Sequence, residues 1–123
     1  MVLITSNKPQ RLLCLNYVQR VTPAELIASR DELKAVLDDL PHPCRLLADL
    51  SQVEFMESDC APELGRSMDL IDQHGVTVVV RVIPDTSKDI GLSILTIFHY
   101  ARHPRVITCR NLAEALRELA LWP

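Results

Sequence analysis

The sequence predicts an α/β fold, with residues 1–123 forming a single domain: a mostly parallel β-sheet, an N-terminal β-hairpin and four covering α-helices. Apolar residues recur at helical spacing in four segments. Short apolar runs alternate with those segments, which is typical of parallel strands joined by helical crossovers. The run VTVVVRVI at 76–83 is β-branched almost throughout, as in a strand buried on both faces of a parallel sheet. We expect that run to form the centre of the sheet.

Composition limits the classes of function. Hydrophobic residues make up 48% of the chain and aromatic residues 4%, which favours an aliphatic core and argues against base-stacking platforms. The net charge of −3 provides no basic field for nucleic acid. No charged leader is present and no apolar run approaches the ~20 residues of a membrane helix. We therefore expect a cytoplasmic protein without nucleic-acid binding or membrane insertion.

The four cysteines show no metal-binding or redox spacing. They contain no CxxC pair and no paired CxxC/HxxxH pattern, so neither a zinc site nor a thioredoxin-type motif is predicted. Each lies in or beside an apolar segment, where a reduced thiol acts as a small hydrophobic side chain. The cysteines in question are Cys14, Cys44, Cys60 and Cys109. We expect no cofactor and no metal.

The first elements are a hairpin and a capped helix. Residues 1–5 and 12–21 are predicted to pair as the hairpin. Thr22-Pro23-Ala24-Glu25 is a capping box with proline at the first helical position. The helix that follows ends before Pro41. Its predicted core face consists of Leu26, Ile27, Arg30, Leu33, Val36, Leu37 and Leu40.

A short strand and a second helix follow. The strand is predicted over 45–50, with a polar turn at 49–52. The helix should start between Ser58 and Ala61, because Ser58 and Asp59 are good caps and Pro62 is tolerated only in the first turn. Its predicted core stripe is Leu64, Met68 and Ile71, and Gly75 is the predicted left-handed stop.

A third helix is predicted over 88–102, followed by a strand over 105–108 and a last helix over 112–121. In the third helix, Leu92, Leu95 and His99 lie opposite the main apolar face. This second stripe is either covered by a neighbouring helix or used for self-association or a partner, so a homodimer is one expectation. Asn111 should cap the last helix. Its inward residues are predicted to be Leu112, Leu116 and Leu119.

This order of elements, with two short motifs, resembles the STAS domain family, which includes anti-sigma-factor antagonists such as sporulation protein AA. Asp49-Leu50-Ser51 is similar to the family's D-L-S stretch, and the segment from Phe55 to Cys60 is similar to its F-[IM]-D-S-S-G stretch. The resemblance implies a STAS-like fold and a non-enzymatic regulator that binds a protein partner, such as an anti-sigma factor or a kinase-like regulator. The implied partner-binding surface consists of Phe55, Met56, Glu57, Ser58, Asp59 and Cys60.

Three departures from that motif indicate a divergent member. Asp59 stands where the antagonists have the serine that accepts a phosphate, Cys60 replaces glycine, and Glu57 replaces aspartate. A carboxylate carries about one negative charge where phosphoserine carries nearly two. Asp59 therefore has two interpretations: a permanent mimic of the phosphorylated state, or an N-cap worth ~1 kcal/mol. Phosphorylation of Ser58 or Ser51 is left open.

No catalytic residue is predicted. The sequence lacks GxSxG, HExxH and a glycine-rich phosphate loop. Asp49 as a receiver-type phosphoacceptor would need an acidic companion cluster for Mg²⁺ and a lysine after the last strand. The first strands carry no Asp or Glu, and no Lys follows the last strand. His99 and His103 have the spacing of a metal pair without a third ligand.

The alternative function is binding of a small apolar or anionic ligand between the third helix and the sheet. Leu92, Leu95 and Phe98 would form apolar walls, and His99 and Arg102 would be polar anchors.

Overall fold

The computed structural model describes residues 1–83 and 105–122, and the backbone of 89–90. It contains a six-stranded sheet and, within those ranges, three α-helices. No helix in this described part is long and apolar enough to cross a membrane. The elements, in chain order, are β1 (Val2–Asn7), β2 (Leu12–Val21), α1 (Pro23–Asp39), β3 (Cys44–Met56), a 3₁₀ turn (Ser58–Cys60), α2 (Ala61–Asp72), β4 (Val76–Val82), β5 (Asp89–Ile90), β6 (Arg105–Cys109) and α3 (Leu112–Leu121).

The sheet confirms the predicted mostly parallel α/β class. Its strand order is β1-β2-β3-β4-β6, and β5 pairs with the far end of β3. β1 and β2 form the predicted antiparallel hairpin, and every other pairing is parallel. The middle strand is β3 rather than β4, so the predicted position of the 76–83 run is wrong by one strand. β4 is nevertheless paired on both sides, as its β-branched composition requires.

Both faces of the sheet are covered. On one face the alternating residues Leu13, Leu15 and Tyr17 of β2 pack in a cluster with α1 and α2. On the other face Val80 and Val82 of β4 pack with α3. The two clusters follow from strand geometry, since successive side chains of a strand point to opposite faces.

The predicted caps of the first and last helices and the predicted glycine after the second are confirmed, whereas the predicted cap of the second helix and the predicted start of the helix at 88 are not. Thr22 Oγ1 accepts a hydrogen bond from the backbone N–H of Glu25 (3.2 Å), which is the predicted cap of α1. Asn111 Oδ1 accepts one from Glu114 N–H (2.9 Å) at the start of α3. Gly75 has φ +77°, and a Cβ there would lie 2.9 Å from His42 Nδ1, so both backbone and space require glycine.

Three apolar residues predicted to face the core are exposed instead. Ile27 on α1 is 54% exposed, and Leu112 and Leu116 on α3 are 42% and 55% exposed. In α3 the buried positions are Ala115 and Leu119. Ala115 and Leu119 therefore define the side of α3 that faces the sheet, and Leu112 and Leu116 lie away from it.

Two predicted segments differ from the structure. The strand predicted over 45–50 continues to Met56, and the predicted polar turn at 49–52 is a register shift within β3. The helix predicted from 88 is contradicted at its start, where Asp89–Ile90 pairs with β3 as a strand. The remainder of that helix, with its two stripes, lies outside the described residues.

Candidate functional site

The segment that resembles the family motif lies where β3 outruns its neighbour β4. The β3–β4 pairing ends at Asp49 and Val82. β3 then continues beside β2, and its last residues pair with β5, Phe55 with Asp89 and Met56 with Ile90. The chain turns immediately after Met56. The turn therefore lies at the carboxyl edge of the parallel strands, where α/β sheets commonly bind ligands and partners.

A single 3₁₀ turn connects β3 to α2. Glu57 is extended (φ −73°, ψ 157°), and Cys60 N–H donates to the carbonyl oxygen of Glu57 (3.0 Å). The N-cap of the turn is Glu57 and the N-cap of α2 is Cys60, and neither side chain makes a capping hydrogen bond. The cap interpretation of Asp59 is therefore wrong, because Asp59 lies in the middle of the 3₁₀ turn. Pro62 does occupy the first turn of α2, as predicted.

Burial divides the six predicted site residues into two groups. Glu57, Ser58 and Asp59 are exposed, and Phe55 is half-buried. Met56 and Cys60 are 1% and 0% exposed and belong to the core cluster beneath the turn. Met56 and Cys60 therefore cannot be contact residues of a surface, which corrects that part of the prediction. They hold the turn in place from below.

The Cys60 thiol is chemically quiet. Its Sγ donates to the carbonyl oxygen of Val21 (3.4 Å). Burial, followed by the negative charges of Asp59 and Glu57, raises the pKa of the thiol to about 11. A thiol that stays protonated is a poor nucleophile and a poor metal ligand. Cys60 thus fills the core at the position where the resembled motif has glycine.

Arg20 joins this surface, although no sequence pattern singled it out. Its guanidinium carbon lies 5.3 Å from the centroid of the Phe55 ring, and its Nη2 lies 3.9 Å from Glu57 Oε1. The preceding residue, Gln19, has φ +58°, and the β2–β3 register shifts between Gln19 and Arg20. Sequence reasoning could not anticipate a left-handed glutamine, because that conformation is rare outside glycine and asparagine.

Asp49 has a local structural role. It is only 6% exposed, and its Oδ1 accepts hydrogen bonds from Ser51 N–H (2.9 Å) and Ser51 Oγ–H (2.6 Å). These bonds support the register shift of β3 between Asp49 and Gln52. Within the described ranges, no group of three or more His, Cys, Asp or Glu side chains is arranged to hold a metal ion.

Behind the turn, one carboxylate ties α2 to α1. The two carboxylate oxygens of Glu63, in the first turn of α2, form ion pairs with Arg30 of α1 and Arg66 of α2. The Glu63 side chain is 12% exposed and that of Arg30 is 21% exposed, so this pair is better shielded from water than a surface pair. The network fixes where α2 begins relative to α1.

The second predicted site cannot be placed. Leu92, Leu95, His99 and Arg102 all lie outside the described residues. On the strand that precedes them, Arg81 is 6% exposed and its Nε donates to Thr108 Oγ1 (2.9 Å). Burial lowers the pKa of Arg81. The sequence did carry a signal for this residue, since Arg81 is a lone charge within a β-branched run.

No protein-family model matches the chain, and no curated protein matches it. Solved structures do match over nearly its whole length. They include an anti-sigma factor antagonist from Mycobacterium paratuberculosis, with a TM-score of 0.60, 20% identity, and coverage of 98% of this chain and 93% of that one. The anti-sigma factor antagonist SpoIIAA in its unphosphorylated form matches with a TM-score of 0.62, 11% identity and 98% coverage of both chains.

A serine-to-glutamate variant of RsbS from Moorella thermoacetica is also similar. The TM-score is 0.63 at 16% identity, with coverage of 98% of this chain and 95% of that one. The likeness establishes that the chain has the fold of the anti-sigma-factor antagonists, in agreement with the resemblance drawn from its motifs.

Proposed function

We propose that the chain is a non-enzymatic regulator that binds another protein through a docking surface consisting of Phe55, Glu57, Ser58 and Asp59. The expected partner is an anti-sigma factor or a kinase-like regulator. The shared fold with proteins described as anti-sigma factor antagonists supports this kind of role. The location of the surface also supports the proposal, because it lies at the carboxyl edge of the sheet, where α/β proteins commonly bind ligands and partners.

The exposed Asp59 carboxylate is the observation that carries the proposal. Asp59 lies on the 3₁₀ turn, caps no helix, and makes no hydrogen bond or ion pair with the described residues. Its charge is therefore available to a partner. Because it stands where the resembled motif has its phosphoacceptor serine, the surface carries a permanent negative charge and is not switched at this position by a kinase.

The chemistry of the turn suits recognition rather than turnover. Its thiol is buried and protonated, and its exposed groups are two carboxylates and a hydroxyl. Phe55, half-buried under Arg20, supplies an aromatic side chain of the kind that anchors protein interfaces. A partner that contacts this surface would therefore meet a small aromatic patch beside fixed negative charge.

The test begins with quantitative affinity capture from the source cell. Wild type, Asp59→Lys and Asp31→Lys are compared, Asp31 being an exposed carboxylate on α1 that makes no ion pair within the described residues. A partner should be retained by wild type and Asp31→Lys and lost with Asp59→Lys. That partner is then purified and its Kd is measured by calorimetry. We expect Asp59→Lys to weaken binding about tenfold or more. Equal retention by all three proteins would contradict the docking surface.

A second measurement addresses the fixed charge. If the captured partner is a kinase, the Asp59→Ser variant should gain the mass of one phosphate group when incubated with it and ATP, and wild type should not. A wild-type chain that is phosphorylated at Ser58 or Ser51 under the same conditions would contradict a permanently charged, unswitched surface.

A further inference from the structure

Eight of the nine arginines in the described ranges fall into two spatial groups, and the ninth, Arg81, is buried within β4. Those around α1, α2 and the helix starts are ion-paired, since Arg20, Arg30, Arg66 and Arg110 each lie within 4.0 Å of a glutamate carboxylate. Four others have no such pair among the described residues and surround α3 at the opposite, amino edge of the sheet. They are Arg11, Arg45, Arg105 and Arg117.

Sheet register explains why two of these four lie together. Arg45 of β3 and Arg105 of β6 both pair with Val78 of β4, so the three form one row across the sheet. Residues in such a row point to the same face, which here is the face covered by α3. Arg45 donates to the carbonyl oxygens of Leu119 (2.9 Å), Trp122 (3.2 Å) and Gln10 (2.8 Å). Arg105 lies 3.8 Å from the ring centroid of Trp122.

The same region contains an open groove with an apolar floor. Its volume is about 720 Å³. Among the described residues that line it are Arg11 and Arg45 but no acidic residue. Its lining consists of Pro9, Gln10, Arg11, Leu12, Pro43, Arg45, Thr77, Leu116, Leu119 and Ala120. Arg11 and Arg45 have no carboxylate partner among the described residues and lie beside apolar surface. Such a groove favours an occupant that carries negative charge and apolar groups of its own.

The groove continues onto the outward side of α3. Leu112, Leu116 and Ala120 follow one another at four-residue spacing, and all three are exposed. They make an apolar stripe about 12 Å long at 1.5 Å per residue. Arg117, also exposed, lies beside the stripe. The combined surface is an apolar channel that is lined by Arg11 and Arg45 and has Arg117 beside its α3 stripe.

We infer that this basic groove, defined by Arg11, Leu12, Arg45, Leu116 and Arg117, binds an acidic amphipathic helix of a partner protein. The apolar stripe of that helix would contact Leu12 and Leu116, and its flanking carboxylates would meet Arg11 and Arg117. A helix laid in a groove is a common form of peptide recognition. The apolar floor favours a protein segment over a nucleic acid, whose phosphates would gain nothing from Leu116 and the prolines. This surface is separate from the docking surface and does not depend on it.

The first test is selection of helical peptides from a randomised display library on the wild-type chain. Peptides retained by the Leu116→Glu variant are removed, because they bind elsewhere. The surviving sequences should carry a net negative charge and aliphatic residues at three- and four-residue spacing. Neutral or basic survivors, or no survivor specific to Leu116, would overturn the inference.

The second test measures the binding of one selected peptide by calorimetry to four proteins: wild type, Arg11→Gln/Arg117→Gln, Leu116→Glu and Ile27→Glu. Arg11→Gln/Arg117→Gln removes two exposed charges without touching Arg45, whose bonds support α3, and should weaken binding about tenfold. Ile27→Glu is the matched control for Leu116→Glu, because Ile27 is 54% exposed and Leu116 is 55% exposed. Ile27→Glu should bind as wild type does. Circular dichroism confirms that each variant is folded.

Two further outcomes would also overturn the inference. Tighter binding of a single-stranded oligonucleotide than of the peptide, lost in Arg11→Gln/Arg117→Gln, would assign the groove to nucleic acid. A wild-type dimer in light scattering that Leu116→Glu converts to a monomer would assign it to a second copy of the chain.

Discussion

The starts of α1 and α2 have similar sequences and different structures. Each has a hydroxyl or carboxylate residue shortly before a proline, and each was predicted to be capped by that residue. At α1 the Thr22 hydroxyl accepts from Glu25 N–H, as a cap should. At α2 the backbone of the 3₁₀ turn makes the connection, and Asp59 remains exposed. The first start uses its polar side chain to cap the helix, whereas the second leaves Asp59 exposed, which is where we propose that a partner binds.

α3 shows which of the two starts is ordinary for this chain. Asn111 caps α3 as Thr22 caps α1. Two of the three helix starts in the described ranges are thus capped by a side chain, and the exception is the start within the motif that resembles a partner-binding segment. A helix start whose capping side chain is not used is therefore informative about function, and four substitutions or conditions test the contrast.

The largest effect should come from the core beneath the uncapped start. Met56→Ala removes a fully buried side chain under the 3₁₀ turn and should lower the free energy of unfolding by ~3 kcal/mol, measured by urea denaturation. Val21→Ala, at the equivalent place before α1, removes fewer buried atoms and should cost less. If Met56→Ala is neutral, packing does not hold the turn, and the comparison of the two starts fails.

The second-largest effect on stability should come from high pH, which acts on Cys60 at the uncapped start of α2. Because burial raises the pKa of Cys60 to about 11 in the folded protein from 9.0, its contribution to stability is complete below pH 9 and is lost as pH rises through 11. The stability difference between wild type and Cys60→Ala should therefore shrink between pH 9 and pH 11. Thermal unfolding at a series of pH values measures this. A difference that stays constant across that range would contradict the assigned pKa.

Removal of the cap of α1 should have a moderate effect. Thr22→Ala leaves the Glu25 N–H without its acceptor and should destabilise the chain by ~1 kcal/mol. Asn111→Ala should cost a similar amount at α3, which provides an internal replicate. Thr22→Ser keeps the acceptor oxygen and should recover most of the loss. The free energy of unfolding of the three variants and of wild type is measured by chemical denaturation under the same condition.

The smallest effect should come from Asp59. Asp59→Ala removes an exposed carboxylate that caps nothing, and the free energy of unfolding should change by less than about 0.5 kcal/mol. A loss close to that of Thr22→Ala would instead show that Asp59 supports the helix, and the contrast between the two starts would disappear. Asp59→Asn, which keeps the shape and removes the charge, serves as the control.

Sequence reasoning succeeded where a local rule decides the structure. The Thr22 cap, the Asn111 cap and the left-handed Gly75 each depend on a few neighbouring residues, and each is confirmed. The mostly parallel sheet was predicted from the alternation of strands and helices along the chain and from the β-branched run at 76–83. These features can be predicted without knowing which elements pack against each other.

Failures occurred where a distant element decides the structure. Ile27, Leu112 and Leu116 have helical spacing, but which side of a helix is buried depends on where the sheet lies. The segment from Asp49 to Gln52 looks like a turn because three of its four residues are polar, yet β2 pairs with β3 on both sides of it. At the proposed docking surface the motif located the turn, but only the fold showed that Met56 and Cys60 lie beneath it and that Arg20 lies beside it.

The pairing of β5 with the end of β3 has a consequence for how the chain folds. The β1–β2 hairpin is local and can form within about 1–10 μs. The floor of the docking surface cannot, because Phe55 and Met56 pair with Asp89 and Ile90, more than thirty residues later in the chain. Closing that long loop is slow compared with local pairing. During synthesis the proposed docking surface is therefore completed only after residue 90 has left the ribosome.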